Sequence, residues 1–401
     1  MFYKYIDDNT KWKEFLNYKI FSLYSFKKEK RLFKNFIENK KYLDICTQIK
    51  NGTYSFSIPN KIFINKGNSS KKRVVYKFNC DEVIILKYIS YLLYDYDYLF
   101  SDNLYSFRKN INMHDAIYRI KNLLNNNCMY AYKVDISNYF NSIDKNILIS
   151  ELENDIDEKN LLNVIKNILN NDKVVFEDTI FSENKGILAG CPLSAFLANY
   201  YLKDLDKYFF DNNISYFRYS DDIIIFSSNK ECLYNYSSFI KDFLSKHKLC
   251  INQKKEYLYD INDCIEFLGF SFKNDGIDIS TNSISKAKSR LKRSSRYLRK
   301  QVENGNIKLD DAIKIMIKKN DKKFYGNKRE ELSWKYWFFP IITSVNGLKE
   351  IDTYYQDCLR YIASGRYNKK NYKILPYSKL KTYGYKSLVH EYYLYKKRKM
   401  N

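Results

Sequence analysis

No Cys-x-x-Cys pair occurs among the eight cysteines (Cys46, Cys80, Cys128, Cys191, Cys232, Cys250, Cys264, Cys358), and His114, His247 and His390 stand far apart. Ordinary zinc-ligand spacing is therefore absent, and no disulfide framework is suggested. Also missing is any apolar run near the roughly 18 residues that a membrane span needs. The first residues carry Lys4, Asp7, Asp8 and Lys11 instead of an apolar leader. These absences lead us to expect a cytoplasmic protein with reduced thiols and no membrane partner. Proline and glycine are scarce, at 4 and 11 of 401 residues, and no internal repeat is visible. Without a Pro/Gly-rich linker, subdomains are expected to pack together.

What the sequence does contain excludes a disordered chain: 45% of residues are hydrophobic and 17% aromatic. Its length allows two or three packed subdomains. The net charge of +23 is unevenly placed. Residues 281–401 hold 30 Lys/Arg and 10 Asp/Glu, a balance of +20. A basic face confined to one third of a chain suits contact with a nucleic-acid backbone, although Lys-rich helices can also be merely soluble.

Residues 10–50 carry helix-like apolar spacing through Phe15, Ile20, Leu23, Phe26, Leu32, Phe33, Phe36 and Ile37, which predicts a helical N-terminal extension. Two β-prone runs, 61–65 and 71–78, flank the turn Lys66-Gly67-Asn68-Ser69-Ser70 and read as a hairpin. Residues 81–99 and 113–124 are helical in pattern, with Ser106-Phe107-Arg108 between them.

Chemistry concentrates downstream. Residues 130–134 alternate as a strand, which ends on Asp135 and leads into a helical turn opened by Ser137 or Asn138. Alone, such an Asp is more often a cap than a catalyst. Residues 215–227 place Ser220-Asp221-Asp222 between two strongly β-prone runs, which reads as a hairpin holding adjacent acids at its tip. Two like charges beside apolar strands repel and lose solvation, a cost that divalent cations relieve. Hard oxygen ligands suit Mg²⁺, and two such ions, typically ~3.5–4 Å apart, can hold both oxygens of an in-line phosphoryl transfer.

Tyr-x-Asp-Asp on a hairpin, preceded by Asp-x-x-x-x-Phe at a strand end, resembles the palm of reverse transcriptases. Between them lies Gly186-Ile187-Leu188-Ala189-Gly190-Cys191-Pro192-Leu193-Ser194, a glycine-bearing entry to a helix, in that family's order. Lys254-Lys255 and then Phe267-Leu268-Gly269-Phe270 resemble the family's lysine loop and primer-gripping turn. Lys72, Arg73 and Arg108 stand where bacterial members carry basic residues that contact nucleotides. The resemblance runs from about residue 66 to 270.

The resemblance implies roles. Asp135, the Ile136 backbone, Asp221 and Asp222 would hold two Mg²⁺ ions, with Mn²⁺ as an alternative. Lys255 would protonate the leaving pyrophosphate, in competition with Lys254. Lys72, Arg73, Arg108, Phe140, Gly190 and Pro192 would contact the nucleotide, with Phe140 excluding a ribose 2′-OH. Phe267, Leu268 and Gly269 would grip the primer. One departure stands out: Leu188 and Ala189 precede Gly190 where many relatives read Gly-x-Pro-Gln-Gly, so a template-contacting amide is absent.

The implied fold is α+β, a right-hand polymerase with an N-terminal helical extension (1–60), fingers (61–128), palm (129–275) and a basic helical thumb (276–401). Within that thumb, Lys292, Arg293 and Arg296 lie on a helix candidate spanning 283–300 and are expected to follow a template–primer backbone. The implied partners are an RNA template, expected to be a structured non-coding RNA, a DNA product and dNTPs. The 126 residues after 275 show no additional enzyme segment, a layout that resembles bacterial retroelement enzymes. The N-terminal extension and altered glycine segment point further to antiviral defence. Alternatives are an RNA-dependent RNA polymerase, a template-independent nucleotidyl transferase, or an idle palm serving as an RNA-binding scaffold.

Overall fold

The computed structural model describes residues 2–21, 27–65, 72–125, 129–183, 186–273, 276–326 and 333–400. They fall into two compact units that divide between Ile261 and Asn262. In chain order the strands are β1 (Asn60–Asn65), β2 (Lys72–Lys77), β3 (Tyr130–Asp135), β4 (Lys173–Phe176), β5 (Thr179–Ser182), β6 (Ser215–Tyr219), β7 (Asp222–Ser227), β8 (Tyr257–Tyr259), β9 (Ile265–Phe267), β10 (Phe270–Lys273) and β11 (Gly276–Ile279). No described helix is long and apolar enough to cross a membrane.

The first unit is built on an antiparallel sheet of order β6-β7-β3-β8. Ile223 to Phe226 of β7 are all buried, which requires cover on both faces and explains why this strand is apolar without alternation. The helix Lys230–Lys246 packs against β3 and β7 and buries Leu233, Ile240 and Leu244. Phe209, on the helix Lys203–Asp211, stacks on Tyr216 of β6 with ring centroids 4.6 Å apart. The register of this sheet pairs Asp135 with Asp222.

A second sheet runs β2-β1-β4-β5, with β1 and β2 antiparallel as their β-prone runs predict. Their connecting turn, Lys66-Gly67-Asn68-Ser69-Ser70, lies outside the described residues. The expected N-terminal helices are present as Asn9–Phe21, Lys27–Glu38 and Tyr42–Lys50. Trp12 ties them to the helix Cys80–Leu92 by stacking on Tyr42 at 4.4 Å and on Tyr88 at 3.8 Å. Phe15, Phe33, Phe36 and Ile37 are buried as their spacing predicts, whereas Leu32 is exposed. Leu23 and Phe26 lie outside the described residues.

The second unit opens with the antiparallel meander β9-β10-β11. Its first turn is formed by Leu268 and Gly269 at φ +50° and +88°, the backbone of a tight two-residue hairpin. The compact units divide before this meander, and not at the 275/276 border read from sequence, because its strands are knit to the helices that follow. Ser280 N donates to Gly269 O at 2.9 Å and Thr343 N to Ile277 O at 2.8 Å. Asp278 accepts from Ser344 Oγ and Gly347 N. The helix Thr281–Glu303 begins at Ser280, whose hydroxyl accepts from Ser283 N, and it buries Ile284, Ala287, Leu291, Ser295 and Leu298 on one side. That side packs on the helix Asn346–Ser364, while Lys292, Arg293 and Arg296 are exposed.

Candidate active site

Three aspartates lie where β3 ends and the β6–β7 hairpin turns. Asp135 is the last residue of β3 and lies opposite Asp222, the first residue of β7. Ile136 N donates to Asp221 O at 3.1 Å, fastening the turn to the end of β3. Asp135 is further held from the other side. Asn252 donates its backbone N–H to Asp135 O at 2.7 Å and its side-chain amide to Asp135 Oδ1 at 3.2 Å. Lys255 Nζ lies 2.5 Å from Asp135 Oδ2.

Burial sets the electrostatics. It raises the Asp221 carboxyl above the usual range, and the field of Asp135 adds to the rise. Burial likewise pushes Asp222 up to about 6; Lys133 opposes the shift and the charges of Asp221 and Asp135 reinforce it. For Lys255, burial pulls the ammonium down, but its bond to Asp135 and the fields of all three acids outweigh this and leave it raised.

The hairpin turn is held from behind by buried polar groups. Ser220 sits at φ +60°, a conformation usually left to glycine at this point of a two-residue turn. Arg218, with no exposed surface, donates Nη1 to Ser220 O at 3.2 Å, Nη2 to Asn199 O at 3.0 Å and Nε to Asp206 Oδ1 at 2.7 Å. Ser220 N donates to Ser106 Oγ at 2.8 Å, and Ser106 Oγ donates to Asn199 Oδ1 at 3.0 Å. Sequence reading missed Asp206, Asn199, Ser106 and Asn252. Its one available signal was Arg218 itself, a charge set among β-prone apolar residues.

The remaining candidates are placed as follows. Lys72 and Arg73 are exposed on β2, and the charge of Arg73 acts on Asp221. Phe140 is half-buried one residue into the short helix Tyr139–Ser142, which opens at Asn138 in a left-handed conformation. Gly190, at φ +104°, is approached by the protein itself. A Cβ there would lie 2.5 Å from Val75 Cγ1, and Tyr76 N donates to the neighbouring Ala189 O at 2.8 Å. The glycine thus lets this loop close on β2, a role beside the nucleotide contact expected of it from the sequence. Pro192 is half-buried just before the helix Ser194–Tyr200. Arg108 is engaged elsewhere, donating Nε and Nη2 to Asp97 at 2.9 and 2.8 Å and Nη1 to Ser101 O at 2.8 Å. Phe267, Leu268 and Gly269, like Lys292, Arg293 and Arg296, belong to the second unit.

Among the described residues, no three acid, imidazole or thiol groups already converge as a finished metal cage. Asp135 instead turns its oxygens to Lys255 and Asn252. The donor chemistry still fits divalent cations. Asp135 and Asp222 occupy the facing ends of two paired strands with Asp221 in the adjoining turn, Asp221 and Asp222 hold protons more tightly than usual, and an ammonium neutralises Asp135.

Residues 64–272 match the family model described as reverse transcriptase (RNA-dependent DNA polymerase). The putative COX1/OXI3 intron 2 protein of Saccharomyces cerevisiae is 31% identical over 113 residues, 28% of this chain and 13% of that protein, so the chain spans a small part of that relative. Among solved structures, telomerase from Candida albicans in complex with a TWJ fragment of telomeric RNA is similar at a TM-score of 0.45 and 12% identity, over 90% of this chain and 70% of that one. Apo telomerase from Candida tropicalis is similar at 0.46 and 14%, over 85% and 68%.

Proposed function

Since the chain belongs to the reverse transcriptase family by its match over residues 64–272, we propose that it is an RNA-directed DNA polymerase that adds dNTPs to a 3′-OH on an RNA template. The observation that carries this reading is the register pairing of Asp135 with Asp222, which brings the strand-end acid to the Asp221-Asp222 turn. Largely desolvated carboxylates that act on one another's charge are costly unless cations share the site. Two Mg²⁺ ions held by Asp135, the Ile136 backbone, Asp221 and Asp222 would supply neutralisation of charge on the phosphoryl group and polarisation of the attacking hydroxyl.

The chain's own residues do the rest. Lys72 and Arg73, exposed on β2, attract and orient the triphosphate. Gly190 and Pro192 shape the loop that closes against β2. Phe140 borders the sugar and favours deoxyribose by excluding a 2′-OH. Lys255, which bonds Asp135 in this structure, donates a proton to the pyrophosphate leaving group. In the second unit, Phe267-Leu268-Gly269 steadies the primer and Lys292, Arg293 and Arg296 follow the duplex backbone. Fingers, palm and thumb keep the boundaries 61–128, 129–275 and 276–401 in this reading, although the compact units divide earlier.

The finer setting belongs to the same proposal: a cytoplasmic enzyme of a bacterial retroelement or antiviral defence system, copying a dedicated structured RNA. Its support is the departure at Leu188-Ala189 together with the N-terminal helices. Extension of a DNA primer on an RNA template with dNTPs and Mg²⁺ tests the polymerase, and sequencing of co-purified nucleic acid tests the setting. Absence of extension with either Mg²⁺ or Mn²⁺ would overturn the first, and unselective cellular RNA the second.

A further inference from the structure

Phe107 is held in a conformation that its own chemistry disfavours. Its φ is +55°, in the left-handed region where a bulky side chain is a true outlier, and the residue is 46% exposed. Folding gains little from this arrangement: the backbone is strained and a large apolar surface stays in water.

The neighbours on either side impose it. Ser106 is fully buried, with its hydroxyl accepting from Ser220 N and donating to Asn199 Oδ1, and with its carbonyl accepting from Asn199 Nδ2 at 2.7 Å. Arg108 has a side chain only 5% exposed and is tied to Asp97 and Ser101 O. Both flanking side chains point into the protein, so the residue between them is turned outward.

Where it is turned follows from the register. Leu104 bridges Arg218 in the parallel sense, Arg218 N donates to Asn103 O at 3.0 Å, and Tyr105 N donates to Arg218 O at 2.9 Å. This segment therefore runs beside β6 in the same direction and brings Ser106 level with Ser220. Phe107 follows directly on the residue that is bonded to Ser220, the first residue of the Ser220-Asp221 turn. An exposed aromatic residue thus adjoins the serine that braces this turn.

We propose that Phe107 is a stacking platform for the unpaired template base about to be copied. The proposal rests on the polymerase reading above. Every base has a π-face, so a ring accepts whichever base arrives, as a residue serving successive template positions must. The Arg108 side chain, on this view, anchors the platform and does not itself touch the nucleotide.

The test places 2-aminopurine in an RNA template, as the first unpaired base beyond a DNA primer in one arm and at the primer 3′ end in the other. Binding and fluorescence are followed for wild type, Phe107→Gly and Phe107→Trp. Glycine relieves the positive φ, so its melting temperature should not fall. Loss of the ring should nevertheless restore fluorescence in the template arm and weaken binding by about 5- to 150-fold, while Phe107→Trp keeps quenching and affinity. If wild type binds and extends the primer but Phe107→Gly quenches equally, or quenching occurs only in the primer arm, the platform is overturned and the polymerase reading stands. If wild type neither binds nor extends, both fall.

Discussion

Lys255 places its ammonium 2.5 Å from Oδ2 of Asp135, so the first carboxylate of the site already carries a cation supplied by the chain itself. Two consequences pull in opposite directions. Lys255→Ala should free Asp135 and lower the Mg²⁺ concentration that gives half-maximal rate. It should also remove the proton donor and slow turnover by about 10²–10⁴-fold. Single-turnover incorporation over a Mg²⁺ series measures both, and a full rate in the variant excludes Lys255 as the acid.

Asp221→Asn with Asp222→Asn should abolish incorporation yet leave a folded, RNA-binding protein. A stability signature should accompany the loss. The folded value for Asp222 is about 6 against an ordinary 3.8, so its contribution to stability is complete below 3.8 and disappears as pH rises through about 6. In metal-free buffer the wild-type melting temperature should therefore drop more than that of the double variant across this window. Parallel curves would show that burial does not raise the two acids as their surroundings imply.

On the proposed role of Phe140 at the sugar, Phe140→Ala should increase incorporation of ATP relative to dATP on one template, because the half-buried ring is lost. Equal use of both nucleotides by wild type would remove the gate and the expectation of a DNA product with it.

Charge reversal of Lys292, Arg293 and Arg296 should weaken binding to every template–primer alike and flatten its salt dependence. Each duplex phosphate contact contributes about 0.9 log units of affinity per log unit of salt. The exposed side of the helix Thr281–Glu303 is where these charges lie. An unchanged slope across a salt series would assign that side to another partner.

What could be read from the sequence was local chemistry. Asp221-Asp222 between β-prone runs and Asp135 after an alternating strand announce themselves within about a dozen residues, and both elements formed as expected. The supports of the site were not readable, because they come from elsewhere in the chain. Nothing near Asn252 says that it will hold Asp135, and nothing near Asp206 or Ser106 says that they will brace Arg218 and Ser220. Gly190 was legible as a special backbone position, but its reason, the close approach of Val75, depends on a strand more than 100 residues earlier. The φ of Phe107 is likewise set by what its neighbours bond to, which no spacing rule reveals.

The bonds that complete the carboxylate site span long stretches of chain: 103 residues from Asn103 to Asp206, 114 from Ser106 to Ser220, and 120 from Asp135 to Lys255. Contacts of such separation close late, because the entropy of each large loop is lost before the contact forms. A nascent chain that has emerged only as far as residue 250 contains both strands of the hairpin and all three acids, yet lacks Asn252 and Lys255, which bond the Asp135 carboxylate. Asp135 therefore gains its full set of bonds only once Asn252 and Lys255 have joined the fold.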